Sequence, residues 1–480
     1  MIAKLGLALS GLLAPAVAET IHGVAVYSRH GDRNTKHYGA QALTSVGFEE
    51  CYQVGGQYRA RYLSADSPHR ILGISESKYV SSQIFASAPD SGILWGTATA
   101  FLQGFYPPLD QTDPDLLTTK LNNGSEASNP IGGYQYVLVH GEDDDAPDAI
   151  WIKGDQSCPA NKAAKATFKD SAFFKQRDEE TKSFYAGFKD ALSEVYDYTS
   201  PSNFSYANAF DIFDLINVAR IHNASSPALD VSDEDLAQLR TLADSAEFES
   251  NYNASQPDRS IHGRTLIAGL LNQLNSTVTS QGKVKFSLLA GSYNTMLAFF
   301  GLTGLSEVST DFKGVPGYSS TISFELFTEE DLEAFPDNTD DLRVRFLFRN
   351  GTTGQPTAFP LFGKGKDSLS WPEFVDEMSG LELGSAEAWC GACKSDLPFC
   401  AAYSGNSVSG QSTGIKGGMS KEVKGGIAMI TIGSAALLSG ALFFMLAARK
   451  MRSHRAAVAA GVGAAAEKGS IHSGSTDSRV

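Results

Sequence analysis

The sequence lacks an excess of positive charge. Its 480 residues carry 39 lysines and arginines against 54 acidic residues, which gives a formal net charge of −15. We therefore predict no nucleic-acid partner, because no basic face would dominate the surface. A small anionic substrate remains compatible with this balance, since it responds to the charges of its own pocket. The chain also lacks internal repeats, and its length and composition indicate one large or two ordinary globular domains.

Cysteine is scarce, and the five residues are Cys51, Cys158, Cys390, Cys393 and Cys400. The C-x-x-C motif near the carboxyl end of the predicted ectodomain has no second pair of metal ligands beside it, so structural disulfides are favoured over a zinc or redox site. Outside the cytosol, five cysteines form at most two disulfides and leave one thiol. Cys51 lies at helical spacing with apolar neighbours, which predicts a buried free thiol. The pairing of the other four stays open.

Apolar segments near the two ends of the chain resemble targeting and membrane-anchoring signals. Residues 1–18 combine an early lysine, an apolar stretch and an A-V-A site, which predicts a cleaved secretory signal and a mature start at Glu19. A Ser/Gly-rich stalk is predicted at 401–424, followed by an uncharged transmembrane helix at 425–448. The basic start of the 449–480 tail predicts a cytoplasmic end. A lipid-anchor signal is disfavoured, because such signals end in the apolar run.

These signals predict a single-pass type I protein of the plasma or vacuolar membrane, with an ectodomain at 19–400 outside the cytosol. Six N-x-S/T triplets lie between the signal and the transmembrane segment and predict surface glycosylation. They begin at Asn123, Asn203, Asn223, Asn253, Asn275 and Asn350.

The stretch "VAVYSRHGDRNTK", residues 24–36, is the strongest candidate site. An apolar run ends at Arg29 and His30, and Arg33 follows shortly after. Two permanent cations disfavour protonation of the imidazole, which keeps it neutral and nucleophilic. They also offer forked donors for an oxyanion such as phosphate. The alternative is a strand end that is basic without further meaning.

The order of elements predicts an α/β layer fold. Apolar stretches at 21–27, 79–90 and 283–294 read as strands, and the segment 44–63 reads as a helix. The region of about 160–280 has helical spacing throughout, which predicts a helical cap inserted into the layer. Chemistry in such folds lies at the carboxyl ends of the strands.

With this order, the chain resembles the histidine acid phosphatases, the secreted and capped branch of the histidine phosphatase superfamily. The resemblance rests on "YSRHGDR", "LTSVGFEECYQVGGQYRARY", "TATAFLQGFYPP", "SCPAN" and "LLAGSYNTMLAFFGL", in this order. It indicates a divergent, fungal-type membrane-anchored member. The implied fold is a three-layer α/β/α sandwich, phosphoglycerate mutase-like, with the inserted cap. The implied activity is phosphomonoester hydrolysis, with His30 as the nucleophile and Arg29 and Arg33 on the phosphate; no metal or cofactor is implied.

Two departures from the family pattern predict weak activity. Ser292 and Tyr293 stand where the family has a second catalytic histidine and an acidic proton donor. The second arginine site of the family reads "FASAPDSGILWG", with Ala86 or Ser87 and Ile93 in place of guanidinium groups. A general acid is worth ~10²–10⁴ in rate and one oxyanion donor ~10²–10³.

Two residues are considered as replacement proton donors. Asp32 is favoured as a solvated or arginine-paired loop carboxylate, and Tyr293 is as readily a packed aromatic as a donor. The sequence thus leaves two functions open: a weak membrane-tethered, glycosylated phosphatase acting on a small phosphomonoester, or a catalytically dead pseudophosphatase that binds anions or partners at the cell surface.

Overall fold

The computed structural model describes residues 19–404. The predicted signal, transmembrane helix and tail lie outside this range, as does the predicted stalk apart from the short helix Ala401–Ser404. Within the described part of the chain, no helix is both long and apolar enough to cross a bilayer.

Most strands belong to one central sheet. The strands are β1 (Thr20–Arg29), β2 (Ile84–Pro89), β3 (Thr118–Lys120), β4 (Glu126–Ser128), β5 (His140–Glu142), β6 (Phe286–Gly291), β7 (Thr321–Thr328), β8 (Arg343–Arg349), β9 (Thr357–Ala358) and β10 (Ser368–Ser370). The sheet has eight strands in the order β10-β8-β7-β1-β6-β2-β5, with β9 beside β8. Neighbours from β1 to β5 run parallel, and neighbours from β1 to β10 are antiparallel. The strands β3 and β4 form a separate hairpin.

Helices follow the strands and also fill a long insertion. They are α1 (Ser45–Tyr62), α2 (Gly92–Phe105), α3 (Leu109–Thr112), α4 (Ile150–Lys153), α5 (Pro159–Ala166), α6 (Ala172–Ala186), α7 (Ala209–His222), α8 (Asp233–Asn251), α9 (Ile261–Thr279), α10 (Tyr293–Leu302), α11 (Leu305–Val308), α12 (Trp371–Leu381), α13 (Ala386–Cys393) and α14 (Ala401–Ser404). The chain is thus a mixed α/β fold around one sheet.

Both faces of the sheet are covered by helices, which explains why β1 is apolar along nearly its whole length. Successive side chains of a strand point to opposite faces. Val24 and Val26 join the apolar cluster formed with α1 and α2. Ala25 and Tyr27 join the cluster formed with α9, α10 and α12. A strand buried on both sides has no polar face, and β1 is buried at all ten positions.

The insertion between α5 and α9 has an apolar cluster of its own. Side chains of α6, α7 and α8, among them Tyr185, Ile212 and Leu239, are buried against one another. In contrast, Leu266 and Leu270 of α9 belong to the cluster on the sheet. The helices with a separate core therefore end before α9, one helix short of the predicted boundary near residue 280.

The cysteines pair across the chain. Cys158 bonds to Cys393 and Cys390 bonds to Cys400, so the two cysteines of the C-x-x-C motif have different partners. Both disulfides lie in a small apolar cluster around Trp389, whose indole nitrogen donates to the Gly154 carbonyl at 2.8 Å. Cys51 is a buried free thiol, which confirms that prediction.

Candidate active site

A close approach of backbones places the motif at the carboxyl end of β1. A Cβ atom on Gly31 would lie 2.3 Å from the carbonyl oxygen of Gly47 in α1, and one on Gly47 would lie 2.0 Å from the carbonyl oxygen of Asp32. Only glycine at both positions lets the loop and the helix touch. The loop is also held by the neighbouring strand, because the His30 amide donates to the Gly291 carbonyl at 3.2 Å.

His30 is buried and held in one tautomer. Its Nδ1 lies 2.8 Å from the Gly31 carbonyl oxygen, which accepts only from a protonated nitrogen. The Nε2 atom therefore carries the free lone pair. Burial, and then Arg29 and Arg33, hold the pKa of His30 well below its ordinary value. The two arginines are evident in the sequence, but burial is the larger cause of the neutral imidazole.

Arg33 is held on one side and unpartnered on the other. Its Nη1 donates to both carboxylate oxygens of Asp214, at 3.0 and 3.1 Å, and to the Asn34 carbonyl at 2.9 Å. Its Nε and Nη2 are buried and have no partner within the described residues. Buried donors of this kind require an acceptor, and an oxyanion would supply one.

Arg29 contacts two tyrosine rings. Its guanidinium lies over the rings of Tyr293, at 5.1 Å, and Tyr318, at 4.5 Å, and donates to the Pro316 carbonyl. Burial lowers the pKa of Arg29 to about 10, so the group stays charged at neutral pH. It is not among the described residues that line the cavity at His30. Its positive charge lowers the pKa of His30 by long-range electrostatic repulsion, although Arg29 itself does not line the cavity.

A cavity of about 340 Å³ opens at His30 and Arg33. Two further cations, Lys36 and Lys153, line it, and the sequence argument had singled out neither. Lys153 is already paired with Asp144 at 2.8 Å. Lys36 lies over the Tyr293 ring at 5.6 Å and has no ion pair among the described contacts. The cavity is therefore suited to an anion.

Two helix amino termini add to this polarity. Ser91, which precedes α2, and Ser292, which precedes α10, both line the cavity. Neither serine caps its helix with its side chain. The first-turn amides and the helix dipoles thus favour negative charge in the cavity.

Ser292 and Tyr293 lie in the cavity wall, where the resemblance implies a histidine and an acid. The Tyr293 hydroxyl donates to Glu247 of α8 at 3.0 Å, and its ring stacks on Phe210 at 5.1 Å. Burial, and then Glu247, raise the pKa of Tyr293 well above its ordinary value. The phenol is a weak acid in this position, and its proton is already committed to a carboxylate.

Among the described residues that line the cavity, Asp155 is the one carboxylate. It pairs with Lys165 at 3.2 Å and accepts from the Asn294 amide at 2.9 Å. Although burial opposes ionisation, Lys165 and then His262 hold the pKa of Asp155 below its ordinary range. Asp155 therefore lacks a proton to donate at mildly acidic pH.

Asp32 lies in the same loop as His30, but its carboxylate contacts Thr44 and His222. Its Oδ2 accepts from the Thr44 hydroxyl at 2.5 Å and lies 2.6 Å from Nε2 of His222, the last residue of α7. It is buried and does not line the cavity. No local sequence pattern connects Asp32 with His222, because 190 positions separate them.

The six sequon asparagines lie outside this site. Asn123, Asn223, Asn275 and Asn350 are exposed, whereas Asn203 and Asn253 are half-buried. The Asn203 side-chain amide donates to the Asp197 carbonyl, a contact that a glycan on that nitrogen would disturb. Within the described residues, no group of histidine, cysteine or acidic side chains is arranged to hold a metal ion.

Comparison with known proteins identifies a family. The model described as "Histidine phosphatase superfamily (branch 2)" matches residues 35–349, about two thirds of the chain. Comparison with curated proteins gave no match. Among solved structures, the apo form of the Hafnia alvei phytase aligns with a TM-score of 0.51 and 15% identity, over 77% of this chain and 98% of that chain.

Other similar structures align less closely. The Citrobacter braakii phytase has a TM-score of 0.49 and 12% identity, over 76% of this chain and 99% of that chain. The apo Bifidobacterium longum multiple inositol polyphosphate phosphatase has a TM-score of 0.43 and 13% identity, over 76% and 92%. At these identities the likeness to the Hafnia alvei enzyme bears on the fold alone.

Proposed function

Because the chain belongs to branch 2 of the histidine phosphatase superfamily, we propose that it binds phosphomonoesters in the cavity at His30 and hydrolyses them slowly through a phosphohistidine. The carrying observation is the orientation of His30. Its Nδ1 proton is directed to the Gly31 carbonyl, so the lone pair of Nε2 is available to a bound phosphorus atom.

The proposed reaction has two steps. In the first, Nε2 of His30 forms a bond to phosphorus while the bond from phosphorus to the ester oxygen breaks. The unpartnered Nε and Nη2 of Arg33 and the amides of α2 and α10 would stabilise the charge on the phosphoryl oxygens. In the second step, water attacks the phosphohistidine, releases phosphate and restores the neutral imidazole. No metal or cofactor is needed for this balance.

Proton supply would limit the first step. The departing ester oxygen takes a proton, and the cavity offers Tyr293, whose proton is directed to Glu247, and Asp155, which pairs with Lys165. Loss of general acid help costs ~10²–10⁴ in rate for a basic leaving group. An aryl phosphate leaves as a stable anion and needs little help, so the proposed enzyme favours activated aryl esters over alkyl esters.

A pseudophosphatase is the second candidate function. It is favoured by the Tyr293 and Glu247 contact, which fills the position of the family's acid with a buried, hydrogen-bonded phenol. In that case, the cavity binds phosphate or a phosphorylated partner without turnover.

The test compares an aryl and an alkyl phosphomonoester on the full-length chain near pH 5. We expect measurable aryl hydrolysis, far slower alkyl hydrolysis, and loss of both in His30→Ala. His140→Ala is the matched control, because His140 is exposed, stacks on Phe85 and does not line the cavity. Aryl turnover should leave labelled phosphate on His30 after rapid denaturation at alkaline pH, where the bond between phosphorus and nitrogen survives. An unlabelled protein would refute the phosphohistidine step.

Two outcomes decide between the candidates. Equal background rates in the wild type and His30→Ala, together with phosphate binding, would establish the pseudophosphatase. Fast alkyl hydrolysis that His30→Ala abolishes would show that another group supplies the proton, and the slow-turnover proposal would be wrong.

The same site is proposed to face away from the cytosol. The signal-like residues 1–18, the apolar segment 425–448 and the exposed sequon asparagines support a glycosylated type I membrane protein of the plasma or vacuolar membrane. Two disulfides within the described residues are typical of oxidising compartments. Glycosidase should increase the electrophoretic mobility of the protein, and a tag at Val480 should resist external protease. Cleavage of that tag on intact cells would refute this topology.

A further inference from the structure

One helix of the insertion holds the motif loop through an aspartate. Asp214 of α7 is only 3% exposed, and its two carboxylate oxygens accept hydrogen bonds from three residues of the loop. The donors are Nη1 of Arg33 at 3.0 and 3.1 Å, the Thr35 hydroxyl at 3.0 Å and the Lys36 amide at 2.8 Å. One carboxylate thus binds three residues of the loop that leads into the cavity, Arg33, Thr35 and Lys36.

These contacts decide which edge of Arg33 is free. A guanidinium has five N–H donors in a rigid plane, so fixing Nη1 fixes the direction of the others. Asp214 and the Asn34 carbonyl take Nη1, and the opposite edge, Nε with Nη2, remains buried and unpartnered. That edge presents two parallel donors at the spacing of two phosphate oxygens.

The same carboxylate also holds the backbone of Lys36, a cation of the cavity wall that has no ion pair among the described contacts. The Lys36 amide donates to Asp214, and the Lys36 side chain lines the cavity. Two cations of the cavity wall therefore depend on one residue that itself does not line the cavity.

We propose that Asp214 is a positioning residue for phosphate binding: it holds Arg33 so that the Nε and Nη2 edge faces the bound phosphoryl group. This inference rests on the proposed function, since it concerns the same cavity. It also assigns a role to the insertion, whose helix α7 completes the anion site that the sheet begins.

The negative charge of Asp214 has the opposite effect on phosphate affinity from its positioning role, so the two explanations predict different results. Asp214 neutralises part of the Arg33 charge, so a variant without the carboxylate gains attraction for an anion. If charge were decisive, Asp214→Asn would bind phosphate more tightly. If position is decisive, the variant binds more weakly. An asparagine oxygen in the place of Oδ2 could accept from all three donors, but the NH2 group in the place of Oδ1 would face Nη1 of Arg33, which is itself a donor.

The experiment measures the affinity of the full-length chain for inorganic phosphate and for vanadate by calorimetry. We expect Asp214→Asn to weaken phosphate binding at least about tenfold, as for loss of a buried charged partner. Asp211→Asn is the matched control, since Asp211 lies three positions earlier on α7 and contacts His37 and Tyr198 instead of Arg33. It should bind phosphate within about twofold of the wild type, in the range of independent sites.

A double-variant cycle separates positioning from general damage. If Asp214 acts through Arg33, Asp214→Asn should cost little further affinity in an Arg33→Ala background. Thermal unfolding of each variant reports stability separately. The Arg33→Lys variant tests the Nε and Nη2 edge while Asp214 stays intact. Lysine offers no second parallel donor, so the phosphate affinity of this variant should fall nearly as far as that of Arg33→Ala.

Each result supports or overturns a stated claim. Equal or tighter phosphate binding by Asp214→Asn refutes the positioning role, as does an undiminished effect of that substitution in Arg33→Ala. If Asp214→Asn does not fold, wild-type affinity in Arg33→Lys refutes the role of the free edge. Absence of phosphate and vanadate binding in the wild type instead removes the proposed function, and this inference falls with it.

Discussion

Acid should destabilise the folded chain through its buried histidines, and His262 gives the clearest case. It is fully buried in α9, its Nε2 lies 3.1 Å from the Asn294 carbonyl oxygen, and its Nδ1 has no partner within the described residues. Burial, and then Lys165, lower the pKa of His262 from 6.5 to about 4. In the unfolded chain the same imidazole has its ordinary pKa.

The sign follows from proton uptake. Between the unfolded and the folded pKa, the unfolded chain binds a proton that the folded chain refuses, so stability falls as the pH falls through this window. For a group that moves from 6.5 to about 4, lowering the pH from 7 to 5 costs about 2 kcal/mol. The loss is largely complete below pH 4, where both states bind the proton.

Carboxylates with raised pKa values oppose this effect, so the total slope is not diagnostic. Burial raises the pKa of Glu50 and Asp244, for example, and such groups gain stability as the pH falls. These groups are common to the wild type and to a His262→Gln variant, and they cancel when the two slopes are compared. The variant should therefore lose about 2 kcal/mol less than the wild type between pH 7 and 5.

The assay is denaturant unfolding followed by tryptophan fluorescence at pH 5, 6 and 7. His22→Gln is the internal comparison, because burial lowers the pKa of His22 to about 4 as well. It should show a similar change, and the double variant should show their sum, since the two sites have no common partner. Parallel pH profiles for the wild type and His262→Gln would refute the argument.

Two further predictions concern the contact between the motif loop and α1, and the two disulfides. Gly47→Ala should displace the motif loop and abolish phosphate binding, because its Cβ would meet the Asp32 carbonyl oxygen at 2.0 Å; Gly56→Ala in the same helix has its nearest neighbour at 3.9 Å and should stabilise by about 0.5–1 kcal/mol. Equal thermal stability and phosphate affinity of the two variants would contradict this. Replacing Cys158 and Cys393 by alanine should cost about 5 kcal/mol, against about 3 kcal/mol for Cys390 and Cys400, because the bonds join residues 235 and 10 positions apart. Denaturant midpoints of the two double variants measure the difference, and a larger loss from the short loop would refute the chain-entropy argument.

The local parts of the site could be predicted from the sequence. An apolar run that stops at Arg29 and His30 indicates a buried strand with polar groups at its carboxyl end, and β1 ends at Arg29. The helical spacing around Cys51 likewise predicts α1 and the buried thiol. In each case the signal lies within a few residues, so periodicity and composition are sufficient.

The remaining parts depend on long-range contacts that no local pattern encodes. Asp214 meets Arg33 across 181 positions, and in its own segment it looks like one of several acidic residues of an amphipathic helix. Arg29 and Arg33 have equivalent positions around His30 in the sequence, but the Arg29 guanidinium lies over the rings of Tyr293 and Tyr318, and Arg29 is not among the described residues that line the cavity. The different surroundings of the two arginines are a property of the packing.

Proton supply decides the rate of the proposed reaction, and the described contacts narrow the possible donors. Asp32 is buried, away from the cavity wall, and shares one oxygen between Thr44 and His222. Asp155 pairs with Lys165, and the proton of Tyr293 is directed to Glu247. In the proposed reaction, attack by His30 and stabilisation of phosphoryl charge by Arg33 need none of these protons, whereas departure of an alkoxide needs one. Where water supplies that proton, turnover should fall steeply as the leaving group becomes more basic, because water is a poor acid.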